Sequence, residues 1–356
     1  KNDLKLDKLE IDNSKLDKYK PDLYSLGKEK YGLFQLVRGC VNSCSFCVAA
    51  KSKLSKFDID ETILYMQELY EKYHINNFWN WDQNVLLYPK HFEEFLDKYS
   101  QADIKAVLNF ALGFQPDLIS GRLIKKLAKL QLGTLTIPFE TGSSASFANI
   151  KKPYTIISSL KRLFEINRYA KKSVQRIQSS FIIGYKHDDL SSIFRIYLSI
   201  LRMKSFPLPF PLYIFPTTEE YRINKQYLEI KSITELHGQL WPLINADQLK
   251  AYQNLLKFLL IDNLEEAKKN LHLLTDEMKE FFLEELKIND YFVDACLEAE
   301  KEDLDTLLTI EQKLKGYKKR KENLLYISAS PRSGLNSTSK MLGEYFCRQY
   351  KEHNSD

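Results

Sequence analysis

The sequence predicts an α/β protein built on a parallel sheet, and three observations carry that reading. From Leu33 onward, short apolar runs alternate with amphipathic stretches about six times, in the order strand, loop, helix. The amphipathic stretches begin with helix-start signals: Asp58 and Asp60 before the first, Pro89 in the second, Pro116-Asp117 at the third. After Phe215-Pro216-Thr217-Thr218 the rhythm stops, and residues 247–315 keep only the helical period. Strands joined through helices must run parallel, because each connection has to cross the sheet before the next strand begins.

Residues 1–30 are polar and charged, with an apolar residue every three or four places (Leu4, Leu6, Leu9, Ile11, Leu16). They read as an N-terminal linker, extended or helical. Residues 31–216 form the core, with strands expected near 33–38, 76–81, 104–111, 132–139, 175–184 and 210–215. Helices are expected near 60–73, 89–99, 116–130, 155–170 and 188–203. Such units either curl partway into a barrel or lie flat in a doubly wound sheet, and periodicity does not separate the two; in both, ligands bind at the C-terminal edge of the strands. Residues 217–317 read as a helical extension, with Leu249, Tyr252, Leu255, Leu256 and Leu259 at helical spacing. From 318 to 356 a further unit begins: the basic stretch Lys318-Lys319-Arg320-Lys321, strand-like Leu324-Leu325-Tyr326-Ile327, a Ser-rich loop and a helix near 339–350.

Composition narrows the function classes. With 356 residues, 44% of them hydrophobic, the chain can bury one large core or two moderate ones. No apolar run is long enough to cross a bilayer, and the start shows neither a signal-peptide core nor an arginine-rich transit pattern, so a cytoplasmic protein with no membrane partner is expected. The net charge of +5 is spread along the chain and does not by itself call for nucleic acid. Of the five cysteines three are clustered and two, Cys296 and Cys347, stand alone in helix-like sequence, which is no disulfide framework.

The clustered three, Cys40, Cys44 and Cys47, have C-x3-C-x2-C spacing directly after the apolar run Leu33-Phe34-Gln35-Leu36-Val37. Three thiolates from one loop suit an iron–sulfur cluster, and the usual cluster takes four, so one iron keeps an open position. A zinc site would want a second Cys or His pair, and the sequence has none: His74, His91, His187, His237, His272 and His353 are scattered.

The loop resembles that of the radical S-adenosylmethionine (radical SAM) superfamily, matched by Cys40, Cys44, Phe46 and Cys47, and the resemblance covers residues 31–216. It implies a partial (β/α)6 TIM-like barrel and a 4Fe-4S cluster on the three cysteines, with S-adenosylmethionine chelating the free iron. It also implies reductive cleavage to methionine and a 5′-deoxyadenosyl radical that takes hydrogen from a substrate, and an electron donor such as flavodoxin or ferredoxin.

The other candidate contacts follow the strands. Trp79-Asn80-Trp81-Asp82-Gln83-Asn84 ends the second strand, where the resemblance implies a contact to the methionine amino group; Asp82 stands there without the family's Gly-Gly-Glu, and turn formation is its alternative role. The fourth strand gives Ile137-Pro138-Phe139-Glu140-Thr141-Gly142-Ser143, followed by Lys152-Pro153-Tyr154-Thr155. This resembles a signature shared by cobalamin-dependent radical SAM enzymes and methylthiotransferases, and Glu140 is the candidate for the ribose or amine, with turn capping as its alternative. In the fifth strand Gln178 and Ser180 are polar within a buried-looking run and so face a site. Gly184 permits close backbone approach, for adenine or for a simple turn. The sixth strand, Leu212-Tyr213-Ile214-Phe215-Pro216, is an apolar wall.

Two branches follow. The cobalamin-dependent one commonly has its cobalamin domain upstream, and none is read before Lys1, so cobalamin is expected from a segment beyond this sequence. The methylthiotransferase one, acting on tRNA or protein, has a Gly-Gln-Asn-Val loop that Asp82-Gln83-Asn84-Val85 resembles. Residues 327–339 resemble the first strand, phosphate loop and helix start of a flavodoxin-like FMN reductase, a natural fused electron donor, although one β/α unit alone cannot cover a flavin. A non-catalytic iron–sulfur carrier coupled to that module is the reading from another class.

Overall fold

The computed structural model describes residues 24–26, 29–112, 114–186, 188–229 and 231–328, with side chains from 31 to 316 within those spans. The main sheet starts with an antiparallel pair, β1 (Tyr24–Leu26) and β2 (Glu29–Phe34). A separate two-stranded ribbon, β3 (Val37–Arg38) with β4 (Ser55–Lys56), branches off. The main sheet then continues in parallel from β2 through β5 (Asn77–Asn80), β6 (Val107–Phe110), β7 (Leu132–Glu140), β8 (Val174–Ile183) and β9 (Phe206–Pro211). A doubly wound sheet reverses its strand order, whereas this order follows the chain without reversal, so successive right-handed crossovers put their helices on one face. The α/β class and the six parallel strands are those the alternating pattern predicts.

The crossovers are α1 (Ile59–Tyr73), α2 (Pro89–Gln101), α3 (Gly121–Leu127), α4 (Ser144–Ile150), α5 (Ile156–Tyr169) and α6 (Leu190–Arg202). Their starts obey local chemistry: the Asp58 carboxylate accepts from Glu61 N at 2.9 Å, and Asp189 accepts from Ser191 N and Ser192 N. The expected start at Pro116-Asp117 is a lone 3-10 turn, Pro116–Leu118; α3 begins after Ser120, whose hydroxyl accepts from Leu123 N. Helix α4 was not expected at all.

Two strands lie earlier than the sequence suggested. The first ends at Phe34 because the next amides, Leu36 N and Val37 N, are taken by the Asp82 carboxylate, which turns the chain out of the sheet. The sixth is Phe206–Pro211, whose three prolines argue against a strand interior. It is the edge strand, and Leu212 N donates to Ile183 O at 2.9 Å, so the even-numbered residues face β8 and Pro207, Pro209 and Pro211 turn to the open side.

Beyond the sheet come α7 (Glu219–Ile223), α8 (Lys225–Leu228), α9 (Leu249–Leu259), α10 (Leu264–Lys269), α11 (Asp276–Glu298) and α12 (Leu304–Ser328). Helix α12 runs through Leu324-Leu325-Tyr326-Ile327, where a strand was expected; the Leu, Lys and Glu residues of this stretch favour continuing a helix already nucleated upstream. The rest of the flavodoxin-like unit, from Ala329 on, lies outside the described residues, as do residues 1–23 of the expected linker, whose last residues supply β1 and open β2.

Two aromatic clusters fix the layers. Phe34, Phe92, Phe95, Phe110 and Phe114 interlock between the first strands and α2, with Phe34–Phe95 centroids 5.3 Å apart and Phe92–Phe110 5.4 Å. Phe194 of α6, Phe258 of α9 and Phe282 of α11 meet edge-on at 5.3–6.2 Å, which seats the helical extension on the crossover layer. Among the described residues no helix is long and apolar enough to cross a membrane.

Candidate functional site

The cysteine loop is pinched at its base by the β3–β4 ribbon. Gly39 sits there at φ +88°, where a Cβ would fall 2.0 Å from Lys53 O, so no other residue fits without moving the backbone. Ser52 closes the loop twice: its hydroxyl accepts from Cys40 N (2.8 Å) and its N–H donates to Cys40 O (2.9 Å). The segments after β5 and β6 hold one flank. Gly39 N donates to Gln83 Oε1 (3.0 Å), and Gln115 Oε1 accepts from both Asn42 (2.9 Å) and Asn84 (2.7 Å). On the other flank Ser45 N donates to Ile150 O (3.0 Å), Glu220 N donates to Ser45 O (2.8 Å), and the Ser45 hydroxyl donates to Glu220 Oε2 (3.1 Å).

Cys40 and Cys44 are buried, Cys47 is half-buried, and all are free thiols. Burial pushes the Cys40 thiol up and that of Cys44 to about 11; Lys152 pulls the second back, and the neighbouring cysteines raise both. Among the described residues no three His, Cys, Asp or Glu side chains could hold a single metal ion. A zinc-type site needs such convergence, whereas cluster thiolates each bind a different iron and stand apart. The donor set, three thiols on one closed loop, fits an iron–sulfur cluster with one iron left open.

Three strands along, β7 ends in a distortion. The β7–β8 register slips between Pro138 and Glu140, Thr141 N donates to Phe139 O (2.8 Å), and Glu140 between them has φ +62°. A carboxylate residue in a γ-turn with positive φ is strained, and such strain persists only where the surroundings impose it. Here they do: Lys152 Nζ lies 2.6 Å from Glu140 Oε1, and the Tyr154 hydroxyl donates to the same oxygen at 3.3 Å. The Lys152 ammonium also lies over the rings of Phe46 (5.3 Å) and Tyr154 (5.2 Å). Burial lowers the pKa of Lys152, but the Glu140 carboxylate, Tyr154 and Cys44 together outweigh it and hold the ammonium well above its ordinary value. Tyr185, whose ring meets Phe46 edge-on, is raised by burial.

The segment from Glu140 to Thr155 is clasped by the helical extension. Arg195 of α6 pairs with the fully buried Glu285 of α11 at 3.3 Å, donates to Gly142 O at 3.1 Å, and lies 3.5 Å from Glu311 of α12. Glu311 in turn accepts from Ser144 N (3.1 Å) and the Ser144 hydroxyl (2.6 Å), and Thr155 donates to Glu302 O (2.8 Å).

Of the residues singled out in the sequence, Phe46, Glu140 and Ser180 line one pocket of about 200 Å³. Gln178 lies lower on the same strand and donates its amide to Thr136 Oγ1 (2.8 Å). Gly184 has φ +98°, and the ring of Trp241 packs where a Cβ would be, at 3.0 Å, so a side chain rather than a ligand takes the close approach. Its N–H is bound by Asp188, a carboxylate pushed by burial to about 7. Asp82 requires a correction: it is buried, and both oxygens accept from Leu36 N and Val37 N at 3.0–3.3 Å, so it braces the loop instead of facing a ligand. Gln83 and Asn84 do the same, which gives the Asp82-Gln83-Asn84-Val85 string a structural job. The roles of Lys152 and Tyr154 escaped sequence reasoning, because nothing in the sequence separates Lys152 from Lys151, which ends helix α4 in the left-handed conformation.

No family model matches the chain, and no curated protein matches it. Solved structures do. The radical S-adenosylmethionine methyltransferase TsrM from Kitasatospora setae, with cobalamin and a 4Fe-4S cluster bound, is 14% identical with TM-score 0.48 over 57% of this chain and 38% of that one. The same enzyme with tryptophan substrate and a SAM analogue gives 14% and 0.49 over 57% and 40%. The cobalamin-dependent S-adenosylmethionine radical enzyme OxsB with aqua-cobalamin gives 9% and 0.47 over 89% and 58%. The chain thus spans less than two thirds of each, and at this level of similarity the functional reading rests on its own residues.

Proposed function

We propose that the chain is a radical SAM enzyme in which Cys40, Cys44 and Cys47 hold a 4Fe-4S cluster and S-adenosylmethionine takes the open iron beside the Glu140 pocket. The observation that supports this most is the meeting of two distant segments: Phe46 of the cysteine loop and Glu140 of the strained β7 end line one pocket, with Lys152 against both. When bound, the cluster supplies the electron that opens the sulfonium bond. The rest falls to this chain's residues. Both Lys152 and Tyr154 reach Glu140 Oε1, which leaves Oε2 as the oxygen to accept from a ligand's hydroxyl or amine. Lys152 sets a positive charge near Cys44, favouring the thiolate that ligation requires. Phe46 and Ile182 give the pocket apolar walls. Within the class, the Ile137–Ser143 signature is common to the cobalamin-dependent and methylthiotransferase branches. The cobalamin-dependent one is preferred, with a methyl or other radical transfer as the outcome, because the Asp82–Val85 string that resembles the other is taken up in bracing the cysteine loop.

Anaerobic reconstitution followed by dithionite and S-adenosylmethionine should yield 5′-deoxyadenosine by mass spectrometry. None from a fully loaded protein would overturn the proposal. Cys44→Ala should lose cluster iron while Cys296→Ala, buried among the helices, keeps it; equal iron in the two variants would sink the ligand assignment.

A further inference from the structure

Next to the Glu140 pocket lies a larger concavity that the proposed reaction leaves unused. It is a groove of about 650 Å³ along the chain after β9, walled by Tyr213, Ile214 and Phe215 on one side and Ile233, Leu236 and Leu240 on the other. The two spaces share Tyr213 and Phe215, whose rings stack at 6.5 Å and 17°. Tyr213 is held in place: His237 meets its ring edge-on at 4.6 Å, and a Cβ on Gly238 would fall 2.7 Å from it. Phe215, Ile233 and Leu240 are 44%, 72% and 54% exposed, a cluster of large apolar side chains open to water.

The lining has no Asp, Glu, Lys or Arg. A charged ligand entering it would lose hydration and find no ion partner, whereas an apolar ring gains roughly 25 cal/mol for each Å² withdrawn from water. The volume falls within the range of roughly 300–1,000 Å³ typical of small-molecule clefts, while a stable protein partner needs about 800 Å² of surface on each side. The shared Tyr213 and Phe215 rings place a molecule in the groove beside the Glu140 pocket.

We propose that the groove binds the uncharged, ring-bearing part of a small-molecule substrate. That the molecule reacts rests on the function proposed above; that it binds does not. The test is saturation-transfer NMR on the full chain with two probes of the same ring system, 2-naphthol and the charged 2-naphthoate. Wild type should bind 2-naphthol and prefer it to 2-naphthoate. Ile233→Asp and Leu240→Asp, at exposed positions and checked for folding by circular dichroism, should each weaken 2-naphthol by about tenfold or more, because the ring must then desolvate a carboxylate. Absence of binding, equal binding by the folded variants, or 2-naphthoate bound as tightly would overturn the proposal. So would a wild-type dimer that these substitutions dissolve, which would make a second copy the occupant. Substrate-free 5′-deoxyadenosine formation is measured separately, so its failure would remove the reaction and leave the binding result standing.

Discussion

Two loops meet at the candidate site and are held in opposite ways. The cysteine loop is fixed mainly by amides and hydroxyls close at hand: Ser52 at its own base, then Gln83, Asn84 and Gln115 from the neighbouring strand ends. The segment from Glu140 to Thr155 is fixed by charges from far away, Arg195, Glu285 and Glu311, on α6 and the helical extension. The cysteine loop also has two carboxylate supports, Asp82 at its entrance and Glu220 at Ser45, but among the described residues no ion pair holds it, while a strained turn with a buried ion pair needs rigid elements that cannot relax. The helical extension is therefore part of the site's framework.

The strongest way to break this contrast is Arg195→Ala. It takes the Arg195 ion pair away from the buried Glu285, and removal of one member of such a pair costs about 3–5 kcal/mol. Thermal melts should show a large loss, with S-adenosylmethionine cleavage falling in the protein that remains folded. A melt unchanged within a degree would show that the extension does not brace the turn.

A titration sharpens the other side. Burial raises Asp82 to about 7 against the pull of the Leu36 and Val37 amides. The folded chain then keeps a proton that the unfolded chain releases from about pH 4 upward, so the contribution of Asp82 to stability falls as pH rises towards 7 and is level above it. Each pKa unit crossed is worth about 1.4 kcal/mol. The melting temperature of wild type relative to Asp82→Asn should therefore drop between pH 5 and pH 8; a constant difference would contradict the assignment.

The smallest effect is expected at Gln115→Ala, which removes the acceptor shared by Asn42 and Asn84. Stability should fall by about 1–2 kcal/mol. Iron retained after reconstitution should fall more visibly than the melt, since the change loosens the loop and spares the core. Full iron loading would show that the loop closes without this flank.

What the sequence revealed depended on range. The β/α alternation, the cysteine spacing and the candidate position of Glu140 are local patterns, and they sufficed for the sheet and for the loop at its edge. The supports of the second loop were hidden because Arg195 and Glu285 are 90 positions apart and neither stands in a motif. Asp82 was read towards a ligand because a carboxylate after a strand looks the same whether it faces solvent or its own backbone. The last strand was placed too late because prolines forbid an interior strand and only the edge position makes them harmless.

That edge position has a consequence for the whole molecule in a crowded solution. Pro207, Pro209 and Pro211 turn towards the side of β9 where another strand would pair, and a proline has no N–H to donate. An intruding chain would find carbonyls and no donors at three successive pairing positions. The β9 edge is therefore a poor template for further strands, and the apolar groove beside it stays open without inviting aggregation along that edge.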